Sequence, residues 1–213
     1  EVWLAGVRVQ GEQAQVAVGR KRGRIGWAKY GLMRALAISS RPRTQVELAN
    51  ALGVTQARVS SALQELRPLV RKTKNGWVAT DFESIAQLLL SSYPGPGGIR
   101  LGWFSSNPIL EQGKSVIAID KKAVLSADSA ADVLAPIRTP KLTLAYVQRN
   151  LPLAQRKFAE SPVDRATLIE VLPEDRTIFT LANAFGSGQI ADGLLAAYDL
   201  QTLKREDSEQ AVS

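Results

Sequence analysis

The hydrophobic pattern changes period several times along the chain, and each change marks a predicted element. At the start, Val2-Trp3-Leu4 and Val7-Arg8-Val9 lead to Gly11, and Gln15-Val16-Ala17-Val18 follows. Alternation broken by glycine predicts a β-hairpin. From Trp27 to Ile38 the apolar positions Trp27, Tyr30, Leu32, Met33, Leu36 and Ala37 recur at helical spacing. Ser39-Ser40-Arg41-Pro42 ends that helix, because proline drives its predecessor away from helical angles. Two short helices are predicted between Thr44 and Arg67, and a two-stranded hairpin between Leu69 and Thr80. Further on, Ser115–Asp120 reads as a buried strand and Ala127–Leu134 as a helix with Pro136 and Pro140 beyond it. Leu142–Gln148 and Leu168–Leu172 read as strands, and Ile190–Leu203 as a last helix. The run Ser91-Ser92-Tyr93-Pro94-Gly95-Pro96-Gly97-Gly98 is the clearest break between the two halves.

The segment from Thr44 to Gln64 is the most informative. Thr44 caps a helix, and Glu47, three residues on, completes a capping box. Leu48 and Leu52 share a face with Val46 nearby, and Ala49 is small where a second helix crosses. Gly53 supplies a left-handed end, Val54 plugs the turn and Thr55 caps the second helix. Val59, Ala62, Leu63 and Leu66 form that helix's buried stripe. This combination predicts a helix-turn-helix. A plain helical hairpin accounts for the leucines but not for the other face of the second helix. That face carries Gln56, Ala57, Arg58, Ser60, Ser61 and Gln64. Gln pairs with adenine N6/N7, Arg with guanine O6/N7, and small side chains permit close approach to a groove. A merely solvated helix more often carries Lys and Glu four apart. Since the N-terminal part of such a helix meets base edges, Gln56, Ala57, Arg58 and Ser60 are the first candidates for readout, then Ser61 and Gln64.

The hairpin behind it reads as a wing: Leu69-Val70-Arg71-Lys72, a turn at Lys74-Asn75-Gly76, and Trp77-Val78-Ala79-Thr80. Asn-Gly favours a turn with positive φ. Leu69, Val70 and Val78 are expected to pack, and Arg71, Lys72 and Lys74 to face phosphates or a minor groove. Arg41 and Arg43 are further candidates for backbone contacts, with Thr44 and Thr55 at helix N-termini. Arg20, Lys21, Arg22 and Arg24 form a basic run that reads either as an extra arm or as a solvated turn. Trp27 and Trp77 sit at helical and strand spacing, which makes them packing residues rather than stacking platforms.

Charge sharpens the picture. Residues 1–80 hold 14 Lys and Arg against 4 Asp and Glu, whereas residues 81–213 hold 13 against 16. A chain of net charge +7 thus concentrates its positive charge in one half, which points to a polyanionic partner for that half. Absences narrow the chemistry. With no cysteine and no histidine, disulfides, thiolate nucleophiles, Ser-His-Asp catalysis and nearly every zinc site are excluded. Asp120, Asp128 and Asp132 lack ligand spacing, Gly186-Ser187-Gly188 is too short for a phosphate loop, Lys121-Lys122 reads as the exposed end of a strand, and Pro173-Glu174-Asp175 as a turn. No enzyme, metal or cofactor is expected. No apolar run is long enough to span a membrane, no secretory pattern opens the chain, and lack of cysteine fits the cytoplasm. Because the sequence opens on Glu1 rather than methionine, residues upstream are expected to be missing.

The stretch GLMRALAISSRPRTQVELANALGVTQARVSSALQELRPLVRKTKNGWVAT, from Gly31 to Thr80, resembles bacterial winged-helix regulators. The linker LLLSSYPGPGG, then AVLSADSAADVLAPIRTPKLTLAYV and IADGLLAAYDLQTLKREDSEQAV, resemble actinobacterial proteins of the type IV AbiEi antitoxin family. The family's small-residue run before a helix is matched by Ser126, Ala127, Ala130 and Ala131. Its late helix is matched by Asp192-Gly193-Leu194 and Tyr198-Asp199-Leu200, with Gly193 where the family often has proline. The glycine expected after Ser126 is missing, and the segment before Trp27 lies outside the pattern. The resemblance implies an N-terminal winged helix that represses its own operon, an α/β antitoxin domain, and a nucleotidyltransferase-like toxin as partner.

The expected architecture is therefore α+β: an N-terminal hairpin and basic arm over 1–26, a winged helix-turn-helix DNA-binding domain over 27–92, and a smaller-stranded α/β domain over 93–213. The expected function is a double-stranded DNA-binding transcriptional regulator, the autorepressing antitoxin of a toxin–antitoxin operon. Paired copies on an inverted repeat fit the short reach of one recognition helix. The alternatives are a ligand-responsive repressor and a plasmid or phage replication or partition protein.

Overall fold

The computed structural model of the protein describes residues 2–4, 7–9, 26–136, 139–185 and 188–210, with side chains from 26 to 203 within those ranges. The fold is mixed α+β, and the chain divides into two compact units, Glu1–Pro94 and Gly95–Ser213.

In the first unit, β1 (Val2–Leu4) and β2 (Val7–Val9) pair antiparallel with Val2 opposite Val9. Residues 15–18, read above as a strand, and the basic run Arg20, Lys21, Arg22 and Arg24, read as an arm or a solvated turn, lie outside the described residues. Helices α1 (Trp27–Ile38), α2 (Gln45–Leu52) and α3 (Gln56–Glu65) follow. A 3-10 turn at Arg67–Leu69 leads into β3 (Val70–Thr73) and β4 (Gly76–Ala79), and α4 (Phe82–Ser92) closes the unit. The helical periods bring Leu32, Met33, Leu36, Leu48, Leu52, Val59, Leu63, Leu66, Ile85 and Leu89 together below 3% exposure. Each such side chain contributes about 1.5–3 kcal/mol by leaving water. Arg34 is buried with them, at 1% exposure. Helix α4, which the sequence reading does not assign, is built from local signals: Asp81 caps it by accepting the Ser84 N–H at 2.8 Å, and Ile85, Ala86 and Leu89 form its inner stripe. Trp27 packs edge-on to Tyr93, with ring centroids 6.3 Å apart, as a packing residue does.

The second unit holds one five-stranded sheet in the order β6-β7-β9-β5-β8. Its strands are β5 (Ile99–Phe104), β6 (Val124–Ala127), β7 (Thr143–Tyr146), β8 (Ala159–Ser161) and β9 (Leu168–Leu172). Only β7 and β9 run parallel. The helices are α5 (Ile109–Ile119), α6 (Asp128–Leu134), α7 (Thr177–Phe185) and α8 (Gly193–Gln210). Strand alternation sends Trp103, Leu125, Ala145 and Leu168 to one face, where they pack with Val116 of α5 and with Leu151, Leu153 and Phe158. On the opposite face Asp199 of α8 accepts the hydroxyls of Ser126, at 2.5 Å, and Tyr146, at 2.8 Å. Trp103 Nε1 and the Leu151 N–H both donate to the buried Glu170 carboxylate, at 2.9 and 2.7 Å, and burial pushes its pKa above the usual carboxylate value.

Three sequence expectations are corrected. Ser115–Asp120 is not a strand: Ser115–Ile119 is the second half of α5 and Asp120 its C-cap, with Val116 buried while Ile117 and Ile119 pack at the core's margin. Its β-branched residues suit a strand locally, but Gly113 lets the helix lie against Leu125 and Ser129, and tertiary packing overrides propensity. The last helix starts at Gly193 rather than Ile190, because Ile190 bridges to Leu125 on the edge of β6. Ala127, read as the first helical residue, is the end of β6, and α6 begins one residue later. Ala127 turns the chain at φ 55° and ψ −130°, a conformation costing a non-glycine residue about 1–3 kcal/mol.

Candidate nucleic-acid interface

Helices α2 and α3 are joined by the turn that their sequence demands. Thr44 accepts the Glu47 N–H at 3.2 Å while the Glu47 carboxylate accepts the Thr44 N–H at 2.7 Å. Gly53 ends α2 at φ 63°, and Thr55 accepts the Arg58 N–H at 3.4 Å to start α3. Val59, Ala62, Leu63 and Leu66 face inward. Gln56, Ala57, Arg58, Ser61 and Gln64 are exposed, and Ser60 is half-buried at the helix's flank. Five of the six readout candidates thus share one open, polar surface.

The backbone-contact candidates divide. Arg58, Arg71, Lys72 and Lys74 are exposed and make no ion pair among the described residues. Consecutive strand residues project from opposite faces of a ribbon, so Arg71 and Lys72 do not serve one row of phosphates together. Arg41 is exposed but engaged: its guanidinium lies 2.5 Å from Glu47 Oε1. Arg43 is half-buried, and its Nε donates to Ser39 Oγ at 3.3 Å. Thr55 is exposed at the start of α3. For Thr44 the expectation of a free N–H is corrected, because the capping box already uses it and places a carboxylate there.

The hairpin departs from its expected turn. Thr73 pairs with Gly76, so Lys74-Asn75 alone form the connection, and neither has positive φ. Only Gly76 does, at φ 135°, and the reason is a close approach: a Cβ there would lie 2.5 Å from the Arg43 carbonyl carbon. Arg43 and Trp77 exchange two backbone bonds, N–H to O distances of 3.0 and 2.7 Å. Arg43 thereby adds a third edge to the hairpin and fixes it to the segment before α2. Pairing by separate segments leaves no mark on local pattern, which is why sequence reasoning missed it. It missed a second tie for the same reason: Lys29 of α1 reaches Glu65 of α3 at 3.4 Å, offsetting the one carboxylate on α3's outer side.

The Arg41 guanidinium, followed by the Thr44 N–H and hydroxyl, holds the Glu47 carboxyl down at about 2, against 4.5 normally. A lowered folded-state value stabilises the fold above the unfolded value, and that stabilisation fades as pH falls from 4.5 toward 2. We expect the urea midpoint of the wild type to drop more steeply across this window than that of Glu47→Gln. Parallel curves would show that the box adds nothing.

Among the described residues, no three acidic side chains gather where a metal could sit, and no helix is long and apolar enough to cross a membrane. Asp128 instead accepts the N–H groups of Lys141 and Leu142 at 2.8 and 3.1 Å. No family of known proteins, no curated protein and no solved structure matches this chain.

Proposed function

We propose that the protein is a sequence-specific double-stranded DNA-binding transcriptional regulator, whose residues Arg41–Thr80 act as a winged helix-turn-helix. One observation carries the reading. The outer side of α3 offers amide, hydroxyl, methyl and guanidinium groups with no packing duty, and the hairpin that follows it in the chain carries exposed Lys72 and Lys74. In this reading Arg58 and Gln56 address base edges, Ala57 and Ser61 permit close approach, and the hairpin cations hold phosphates. The basic balance of residues 1–80 supplies the long-range attraction. The narrower reading is the autorepressing antitoxin of a type IV operon, with a nucleotidyltransferase-like toxin as partner. It rests on the resemblance of 123–147 and 190–212, and co-purification with the product of an adjacent nucleotidyltransferase-like gene tests it.

The test of DNA recognition is fluorescence anisotropy with a duplex selected from random sequence. Arg58→Ala is expected to cost about 1–3 kcal/mol on that duplex and to relax selectivity at one base pair. Lys72→Ala with Lys74→Ala is expected to weaken all duplexes alike and to flatten the dependence on salt. An Arg58→Ala protein with unchanged affinity and selectivity would remove α3 as the reading element.

A further inference from the structure

The second unit carries a positive groove that the DNA reading does not use. Strands β6 and β7 are antiparallel with Val124 opposite Tyr146, so the residues entering β6 and those leaving β7 meet at one end of the sheet. There Asp120, Lys121, Lys122, Gln148 and Arg149 line an open groove of about 510 Å3. Lys121, Lys122 and Arg149 are exposed and make no ion pair among the described residues. The Asp120 carboxylate is half-buried and tied to its own turn, where it accepts the Lys122 N–H at 2.9 Å. Lys121-Lys122, expected at the exposed end of a strand, are instead the turn between α5 and β6.

Composition does not explain this cluster. Residues 95–213 hold 13 Lys and Arg against 14 Asp and Glu, so the groove is a cationic spot on a unit that is otherwise slightly acidic. Three like charges around one hollow repel each other, and an anion in the hollow relieves that repulsion. The lining is polar, which disfavours an apolar ligand. The volume lies within the range of about 300–1,000 Å3 usual for small-molecule sites. The groove lies beyond the carboxyl end of β7, one of the parallel pair, which is where open α/β sheets take ligands. A hollow of about 510 Å3 is several times the volume of one phosphate, so an anion with linked phosphates fills it better. The geometry points to a binding site for a small anion bearing two or more linked phosphates, held by Lys121, Lys122 and Arg149 with Gln148 as a neutral donor.

The test uses the full chain and isothermal titration with inorganic pyrophosphate and, separately, with ATP, which distinguishes a bare polyphosphate from a nucleotide. Saturable 1:1 binding of either is expected, with amide shifts confined to residues 120–123 and 147–150 in an NMR titration. Lys122→Ala with Arg149→Ala is expected to weaken that binding at least about tenfold. An Arg58→Ala, Lys72→Ala, Lys74→Ala protein is expected to bind the same anion unchanged, which separates this site from the DNA reading. These are exposed positions, and an unaltered urea midpoint confirms an intact fold. Absence of saturable binding overturns the proposal. So does binding lost in the Arg58, Lys72 and Lys74 variant but kept in the groove variant. A groove variant that weakens only duplex binding also overturns it, and assigns the groove to nucleic-acid backbone.

Discussion

Gly76→Val is expected to destabilise the Glu1–Pro94 unit by about 3 kcal/mol and to abolish tight duplex binding at temperatures where the unit still folds. Two costs combine. A β-branched residue at φ 135° is strained in any setting. Its Cβ would also lie 2.5 Å from both the carbonyl carbon and the oxygen of Arg43. Those are backbone atoms, so no rotamer change relieves the clash. The chain must open the Arg43–Trp77 bridge, giving up two hydrogen bonds and freeing the hairpin from the segment before α2. Urea unfolding followed by the emission of Trp77, which neighbours the site, measures the loss. Gly26→Ala is the control, since nothing lies within 4 Å of a Cβ built there. Equal midpoints for Gly76→Val and the wild type would mean that the bridge is not formed in solution.

The second large effect is expected at Asp199. Its carboxylate accepts from Ser126 Oγ and, with both oxygens, from Tyr146 Oη at 2.8 and 2.9 Å. All three residues are at most 1% exposed. Asp199→Ala takes the shared acceptor from the hydroxyls of Ser126 and Tyr146 and leaves a void between α8 and the sheet. Each buried hydrogen bond lost to a carboxylate costs about 1.5–3 kcal/mol, so a total of about 3–5 kcal/mol is expected. Asp199→Asn keeps one acceptor oxygen and is expected to cost less than half as much. Tyr146→Phe with Ser126→Ala removes the donors instead. Added to Asp199→Ala, that pair is expected to recover part of the loss, because the hydroxyls that lost their carboxylate acceptor are gone. Loss of less than about 1 kcal/mol in Asp199→Ala would show that water replaces the carboxylate.

What the sequence revealed follows the range of the interactions involved. Features built within a few residues were legible: the Thr44–Glu47 box, the Gly53 turn, the Thr55 cap and the inner stripe of α3. Helix α4 is equally local, with Asp81 as cap, but only Thr80 and Asp81 separate it from the hairpin, so its start merges with the end of the strand pattern. Features set by distant partners were not legible. Ser115–Asp120 is strand-like in composition and becomes helix because α5 lies across the sheet with Gly113 against Leu125. Strand β5 was hidden by Gly102, which is glycine because the Ser161 carbonyl oxygen would stand 2.4 Å from a Cβ there. The role of Gly76 was read from its neighbour Asn75 and belongs to Arg43. Within the candidate interface, the type of each residue on α3 was readable from spacing. The engagement of Arg41 with Glu47 and the tether at Arg43 required three dimensions.

The division of labour around α3 has an evolutionary corollary. Its inner positions are committed to the core, whereas Gln56, Ala57, Arg58, Ser61 and Gln64 hold nothing in place. Exchanges there perturb folding by no more than about 0.5 kcal/mol each. If α3 reads DNA as proposed, target preference can therefore drift, or be reprogrammed by randomising five codons, while the scaffold that presents them stays unaltered.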